Sequence, residues 1–194
     1  MITTEQIKAL RDSTGVSVMQ CKKALEEAGG DTEKALVILR KKSAESASKK
    51  SDRTLGAGVV ESYIHSGGAI GALVELSSET DFVARNGEFK ALAYEIAMQV
   101  AATDPQFLKR EEVTEDDLRA AKEVFQKEAE DKPENIREKV VQGKIDGYLK
   151  DKILLEQPYI KDPEKTIGNL VEEAVQKFGE RIEIRRFARF NTGK

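Results

Sequence analysis

The run Ile70-Gly71-Ala72-Leu73-Val74-Glu75-Leu76-Ser77-Ser78-Glu79-Thr80-Asp81-Phe82-Val83-Ala84-Arg85-Asn86 changes period part-way along its length. Ile70, Ala72, Val74 and Leu76 alternate onto one face, the pattern of a half-buried strand, because successive Cβ atoms point to opposite sides of a sheet. After Asn86, a suitable N-cap, Phe89, Leu92, Ala93, Ile96, Ala97 and Val100 recur at helical spacing. A strand that hands over to a helix with one apolar face, which should cover the sheet, makes the chain α+β. At the corner lies Glu79-Thr80-Asp81-Phe82-Val83-Ala84-Arg85-Asn86, a large apolar ring set among charges. Two readings are open. Phe82 folds back to cap the core, as aromatic rings mostly do, or it is held out as a wedge by a turn that Thr80 and Asp81 stiffen through hydrogen bonds to local backbone. Rigid presentation would lower the entropic cost of using the ring on a partner.

Working outward, Val59 to His65 and Ile70 to Ser77 flank Ser66-Gly67-Gly68-Ala69 and read as an antiparallel hairpin. A third strand is expected at Ile182 to Phe190. Its alternation is imperfect: Ile182, Ile184, Ala188 and Phe190 share a face with Arg186, while Phe187 falls opposite. A two-faced strand at a sheet edge invites pairing with another chain. Thr114 starts a charged helix to about Asp131, and Pro133 suits the first turn of a successor running to about Asp151. Their narrow apolar stripes predict a helical hairpin, at about 114–151, projecting from the core. Asp162-Pro163 is read as opening the last helix, whose stripe Ile167, Leu170, Val171, Ala174, Val175 and Phe178 ends at Gly179 and belongs to the core.

Residues 1–42 read as three short helices. Thr3 with Gln6 has capping-box spacing, Gly15 ends the first helix, Ser17 caps a second with the stripe Cys21, Ala24, Leu25 and Ala28, and Asp31 or Thr32 caps a third after Gly29-Gly30. The module resembles a ubiquitin-associated (UBA-like) three-helix domain. Residues 43–55 are small, polar and basic; an extension of the third helix is open, but with nothing evident to bury they are read as a linker, and residues 56–194 are expected to form the α+β core domain.

Composition narrows the function. With 194 residues, 39% hydrophobic and 35% charged, the chain has material for a core, and 32 basic against 35 acidic side chains give a net charge of -3. That balance argues against a dedicated nucleic-acid binder, so no direct nucleic-acid contact is expected. No apolar run reaches membrane-spanning length, and Met1-Ile2-Thr3-Thr4-Glu5 lacks a basic region followed by an apolar stretch, so a cytoplasmic protein is expected. One cysteine, Cys21, cannot form an internal disulfide and sits on an apolar stripe, as a buried thiol would. The one histidine, His65, borders a turn. Neither a zinc cluster, a Cys/His pair nor a glycine-rich phosphate loop is signalled, and Gly56-Ala57-Gly58 precedes a strand rather than a helix. No enzyme activity, metal or cofactor is therefore expected.

Taken in order, Leu10-Arg11-Asp12-Ser13-Thr14-Gly15 and Met19-Gln20-Cys21-Lys22-Lys23-Ala24-Leu25, then Glu79 to Asn86, then Gly143-Lys144-Ile145-Asp146 through Leu154-Leu155-Glu156-Gln157-Pro158-Tyr159, resemble bacterial translation elongation factor Ts over the whole length. The resemblance implies a guanine-nucleotide exchange factor for elongation factor Tu. It assigns the family's exchange motif to Thr80, Asp81, Phe82 and Val83, which in that family reaches the GTPase domain of the GDP-bound partner and disturbs its magnesium and phosphate sites. The amino-terminal module would dock on the same domain. Longer members carry a second, related core subdomain, whereas only one hairpin-plus-helix set is visible here, so the resemblance implies a homodimer in which a second copy supplies the missing half. A rival reading of the module alone is an adaptor for nascent chains or ubiquitin-like proteins.

Overall fold

The computed structural model describes residues 2–193. Three helices come first: α1 (Thr4–Thr14), α2 (Val18–Glu27) and α3 (Thr32–Ser48). Each begins where a side chain accepts a hydrogen bond from an orphan backbone N–H: Thr3 from Gln6, Ser17 from Gln20 and Asp31 from Lys34. The Gln6 side chain accepts from the Thr3 N–H in return, completing the capping box, and Gly15 ends α1 in the left-handed region at φ 67°. Leu10, Val16, Cys21, Ala24, Leu25, Ala35 and Leu39 form a core of their own beneath the three helices.

Residues 43–48 are the last turns of α3, the extension that the sequence left open, but they do have something to bury. Ser43 is buried there, its hydroxyl bonded to the Leu39 carbonyl (3.0 Å) and to the Gln176 side chain, and Ala47 packs against the main core. The small side chains that looked like a tether let α3 approach α8 (Ile167–Phe178) closely along its length. Residues 49–56 then lead into the sheet.

Among the described residues five strands follow in chain order: β1 (Ala57–Ile64), β2 (Ile70–Ser78), the short pair β3 (Pro158–Tyr159) and β4 (Asp162–Thr166), and β5 (Ile182–Asn191). The main sheet is antiparallel in the order β1-β2-β5, which makes β5 an edge as expected. Its imperfect alternation has a definite cause. Leu76 pairs with Ile184 and Glu75 with Arg186, leaving Arg185 as the extra residue of a bulge. The bulge resets the alternation, so Phe187, opposite Val74, joins Ile182 and Ile184 on the covered face instead of lying opposite them. Phe190, expected on the face of Ile182 and Ile184, is carried by the same bulge onto the open face, 63% exposed.

The helix α5 (Gly87–Thr103) starts at Asn86, which accepts from the Glu88 N–H at 2.8 Å, and lies across the covered face. Phe89, Ala93, Ile96, Ala97 and Val100 pack there with Val74, Leu76 and, from α8, Ile167 and Val175. Asp162-Pro163 does not open α8. It lies in β4, which pairs back on β3, and the helix starts four residues later, where Thr166 and Asn169 form a reciprocal capping box. Proline suits an edge strand as well as a first helical turn, and the Thr166 cap decides between them.

The hairpin of α6 (Glu115–Glu128) and α7 (Glu134–Lys152) closes on its own small cluster of Ile145, Leu149 and Ile153, with Leu118, Phe125 and Tyr148 against it. α6 buries no residue fully, as expected of an arm that projects from the core. Its root is fixed. The Gln106 and Phe107 N–H groups donate to the Lys152 carbonyl, Leu154 N–H donates to the Phe107 carbonyl at 2.9 Å, and Arg110 bridges Asp146 and Glu156.

Candidate functional site

Between β2 and α5 the chain makes one helical turn, α4 (Asp81–Ala84). One turn has an inner and an outer side. Val83 and Ala84 take the inner side, 3% and 5% exposed in the main core, while Phe82 takes the outer side and is 81% exposed. Of the two readings of this ring, capping the core is thereby excluded for the free protein. Asp81 also faces solvent and pairs with Arg85 at 2.9 Å, an exposed i,i+4 bridge of small energetic value.

The turn is stiffened differently from the sequence expectation. Thr80 occupies the N-cap position of α4 but makes no side-chain capping bond. Its hydroxyl donates to Oε1 of Glu180 at 2.6 Å, and its N–H donates to Oε2 of the same carboxylate at 3.0 Å. Beside it the Glu79 carboxylate accepts from the Arg181 N–H at 2.5 Å and from Arg53 Nη1 at 3.1 Å. The Arg181 N–H, and after it the Arg53 guanidinium, hold the Glu79 carboxyl below the usual carboxylate range. The Ser78 hydroxyl donates to the Thr80 carbonyl at 2.9 Å, and Asn86 N–H closes the far side on the Val83 carbonyl at 2.9 Å. Thr80 is drawn away from its own helix because a bond to an ionised acceptor is stronger than a neutral cap.

The structure thus presents Thr80, Asp81 and Phe82 on one exposed corner, whereas Val83 is buried in the main core and anchors it. Sequence reasoning missed the residues that hold that corner: Glu180, Arg181 and Arg53, the last within the stretch read as linker. His65 is exposed beside its turn, with Nδ1 3.1 Å from the Tyr63 hydroxyl, and Cys21 is fully buried, burial pushing its thiol upward. Among the described residues no cluster of three His, Cys, Asp or Glu side chains could hold a metal ion, and no helix is long and apolar enough to cross a membrane.

Residues 45–194 match the family model described as Elongation factor TS. The chain belongs to the elongation factor Ts family. Over its full length it is similar to the proteins named Elongation factor Ts of Desulforamulus reducens (50% identical, 90% of that protein covered), Carboxydothermus hydrogenoformans (49%, 90%) and Alkaliphilus metalliredigens (51%, 90%). Membership sets this chain among the translation elongation factors. The family match includes the braced corner, and the similarity to these relatives extends through α1 to α3.

Proposed function

We propose that this chain is the guanine-nucleotide exchange factor of elongation factor Tu, in the cytoplasm, and that Phe82 is the side chain it pushes into the GTPase domain to loosen GDP. The observation that carries this reading is the 81% exposed ring on a turn whose next residues are buried. A large apolar side chain held in water on a braced support has its burial energy still available for a partner.

Magnesium and the phosphate-binding loop hold a nucleotide through charge neutralisation and strict geometry, so a small displacement forfeits much of that interaction. Contact energy gained at the Phe82 surface is exchanged for nucleotide affinity lost inside the partner. The coupling is reciprocal: if the factor weakens GDP, GDP weakens the factor in the same ratio, and an incoming nucleotide helps release it. The chain itself turns over no substrate in this scheme. Burying one phenylalanine yields about 1.5–3 kcal/mol, whereas accelerating release about 10⁴-fold requires roughly 5.5 kcal/mol. The remainder comes from a wider surface, to which we assign the helical module α1 to α3, with Val18, Met19 and Val37 exposed on it.

We also infer a homodimer. Its support is β5, a sheet edge unpaired on one side, and the open sheet face carrying Val60, Ile64, Leu73 and Phe190, all exposed. The deciding experiment for exchange is release of a fluorescent GDP analogue from the cognate elongation factor Tu with and without this protein. Catalytic amounts should accelerate release, and residues 1–53 alone should not. Release at the intrinsic rate in the presence of the full chain would refute the proposal, and binding retained by residues 1–53 without any exchange by the full chain would favour the adaptor reading.

A further inference from the structure

The last backbone pair between β2 and β5 is Ser78 with Ile182. If the antiparallel ladder continued, Glu79 would face Arg181 and Thr80 would face Glu180. The ladder stops there because the chain after Ser78 turns away into α4, yet the pairing persists in another form. The Arg181 N–H donates to the Glu79 carboxylate, and the Thr80 N–H donates to the Glu180 carboxylate. Two side-chain carboxylates, one from each segment, tie the two segments together where the backbone pairing has ended. Gly179 sets this up: it ends α8 in the left-handed conformation, φ 75°, and delivers Glu180 beside Thr80 before β5 begins. Of the two carboxylates, Glu180 grips the corner itself, since Thr80 gives it both the N–H and the hydroxyl and immediately precedes the turn that carries Phe82.

We propose that Glu180 is a positioning residue for nucleotide exchange, fixing Thr80 so that α4 presents Phe82 in one orientation. The inference rests on the reading of Phe82 as the exchange wedge. Glu180 has no need to touch the partner; it acts by removing alternative orientations of a turn only four residues long, which by itself has too few backbone bonds to be rigid. Its loss therefore acts on the efficiency of the formed complex, measured at saturation, more than on the concentration of factor needed to form it.

The test compares Glu180→Ala, Glu180→Gln, Phe82→Ala and the double variant Phe82→Ala/Glu180→Ala in the full chain, reading GDP-analogue release from elongation factor Tu across factor concentrations. Glu180→Ala should lower the maximal release rate about tenfold, about 1.4 kcal/mol of barrier, with little change in the half-saturating concentration. Glu180→Gln, which keeps the shape and an accepting oxygen, should restore most of that rate. In the Phe82→Ala background, removing Glu180 should cost nothing further, because its effect runs through the ring. Amide hydrogen exchange of the free protein gives a partner-independent reading: the Thr80 N–H should exchange faster in Glu180→Ala. The inference is overturned by an unchanged maximal rate, by an equal loss in both backgrounds, or by unaltered protection at Thr80. Failure of the underlying reading looks different, since Phe82→Ala alone would then exchange at the wild-type rate.

Discussion

Replacing Phe82 with alanine separates what this ring does for its own chain from what it does elsewhere. At 81% exposure it contributes little to the core, whereas Phe89, seven residues on and fully buried against Phe178, shows what a structural phenylalanine looks like here. Phe82→Ala should therefore leave the unfolding free energy within about 0.5 kcal/mol of wild type. If the ring is buried only in the complex, as proposed, truncation removes about 1.5–3 kcal/mol of transfer energy. Spent wholly on the release barrier, that corresponds to a fall of roughly 10- to 150-fold in the saturating exchange rate. Stopped-flow release of a fluorescent GDP analogue under excess factor measures the rate, and a titration of the same complex should still show binding, because the wider surface remains. An unchanged maximal rate would remove Phe82 from the mechanism. A large loss of stability would refute the premise that the ring is free.

Three further outcomes follow from the same geometry. Gln99 is fully buried, donating to Gln157 and to the Pro158 carbonyl and accepting from the Ile160 N–H, so Gln99→Leu strands these partners and should cost about 2–4 kcal/mol in urea unfolding; a loss below 1 kcal/mol would mean the network is dispensable. Because the folded-state Glu79 carboxyl is depressed from its ordinary value of 4.5, its stabilisation is complete above that pH and disappears as pH falls through the lower folded value. Urea midpoints measured from pH 6 to pH 3 should then fall more steeply for wild type than for Glu79→Gln, and parallel profiles would contradict the Arg181 and Arg53 bonds as the cause. Light scattering should give the mass of two chains and Phe190→Lys that of one, whereas a single-chain mass at every concentration would refute the dimer.

Much of the architecture is legible in local sequence because it depends on local rules. The period change across Ile70 to Asn86 marks β2 and α5, and the caps at Thr3, Ser17, Asn86 and Thr114 mark helix starts that the structure reproduces. What was misread depends on partners distant in sequence. Ser43 and Ala47 are tether-like until α8 is placed beside them, and Asp162-Pro163 is ambiguous until β3 pairs with β4. The bulge at Arg185 is a property of the pairing with β2 and has no signature in β5 beyond a broken alternation. Gln99 did give a signal: a polar residue beside Ile96 and Val100 on a buried helix must find partners, and it finds them some sixty residues away.

The candidate site divides along the same line, for a physical reason. Phe82 stands out in the sequence because it violates its surroundings: an apolar ring among charges is at odds with the pattern that buries a core, as a side chain buried in another molecule, the role proposed for it, would have to be. Glu79, Glu180 and Arg181 violate nothing. Charged residues at the end of a strand and just after a helix are what solvent exposure alone would select, so composition gives no hint that they face one another. Their juxtaposition follows from register: once Ser78 is paired with Ile182, antiparallel geometry places Thr80 against Glu180. The ring can be found from one segment of sequence, whereas its support requires the pairing of two segments a hundred residues apart, and substitutions at Glu180 should accordingly be felt at a side chain they never touch.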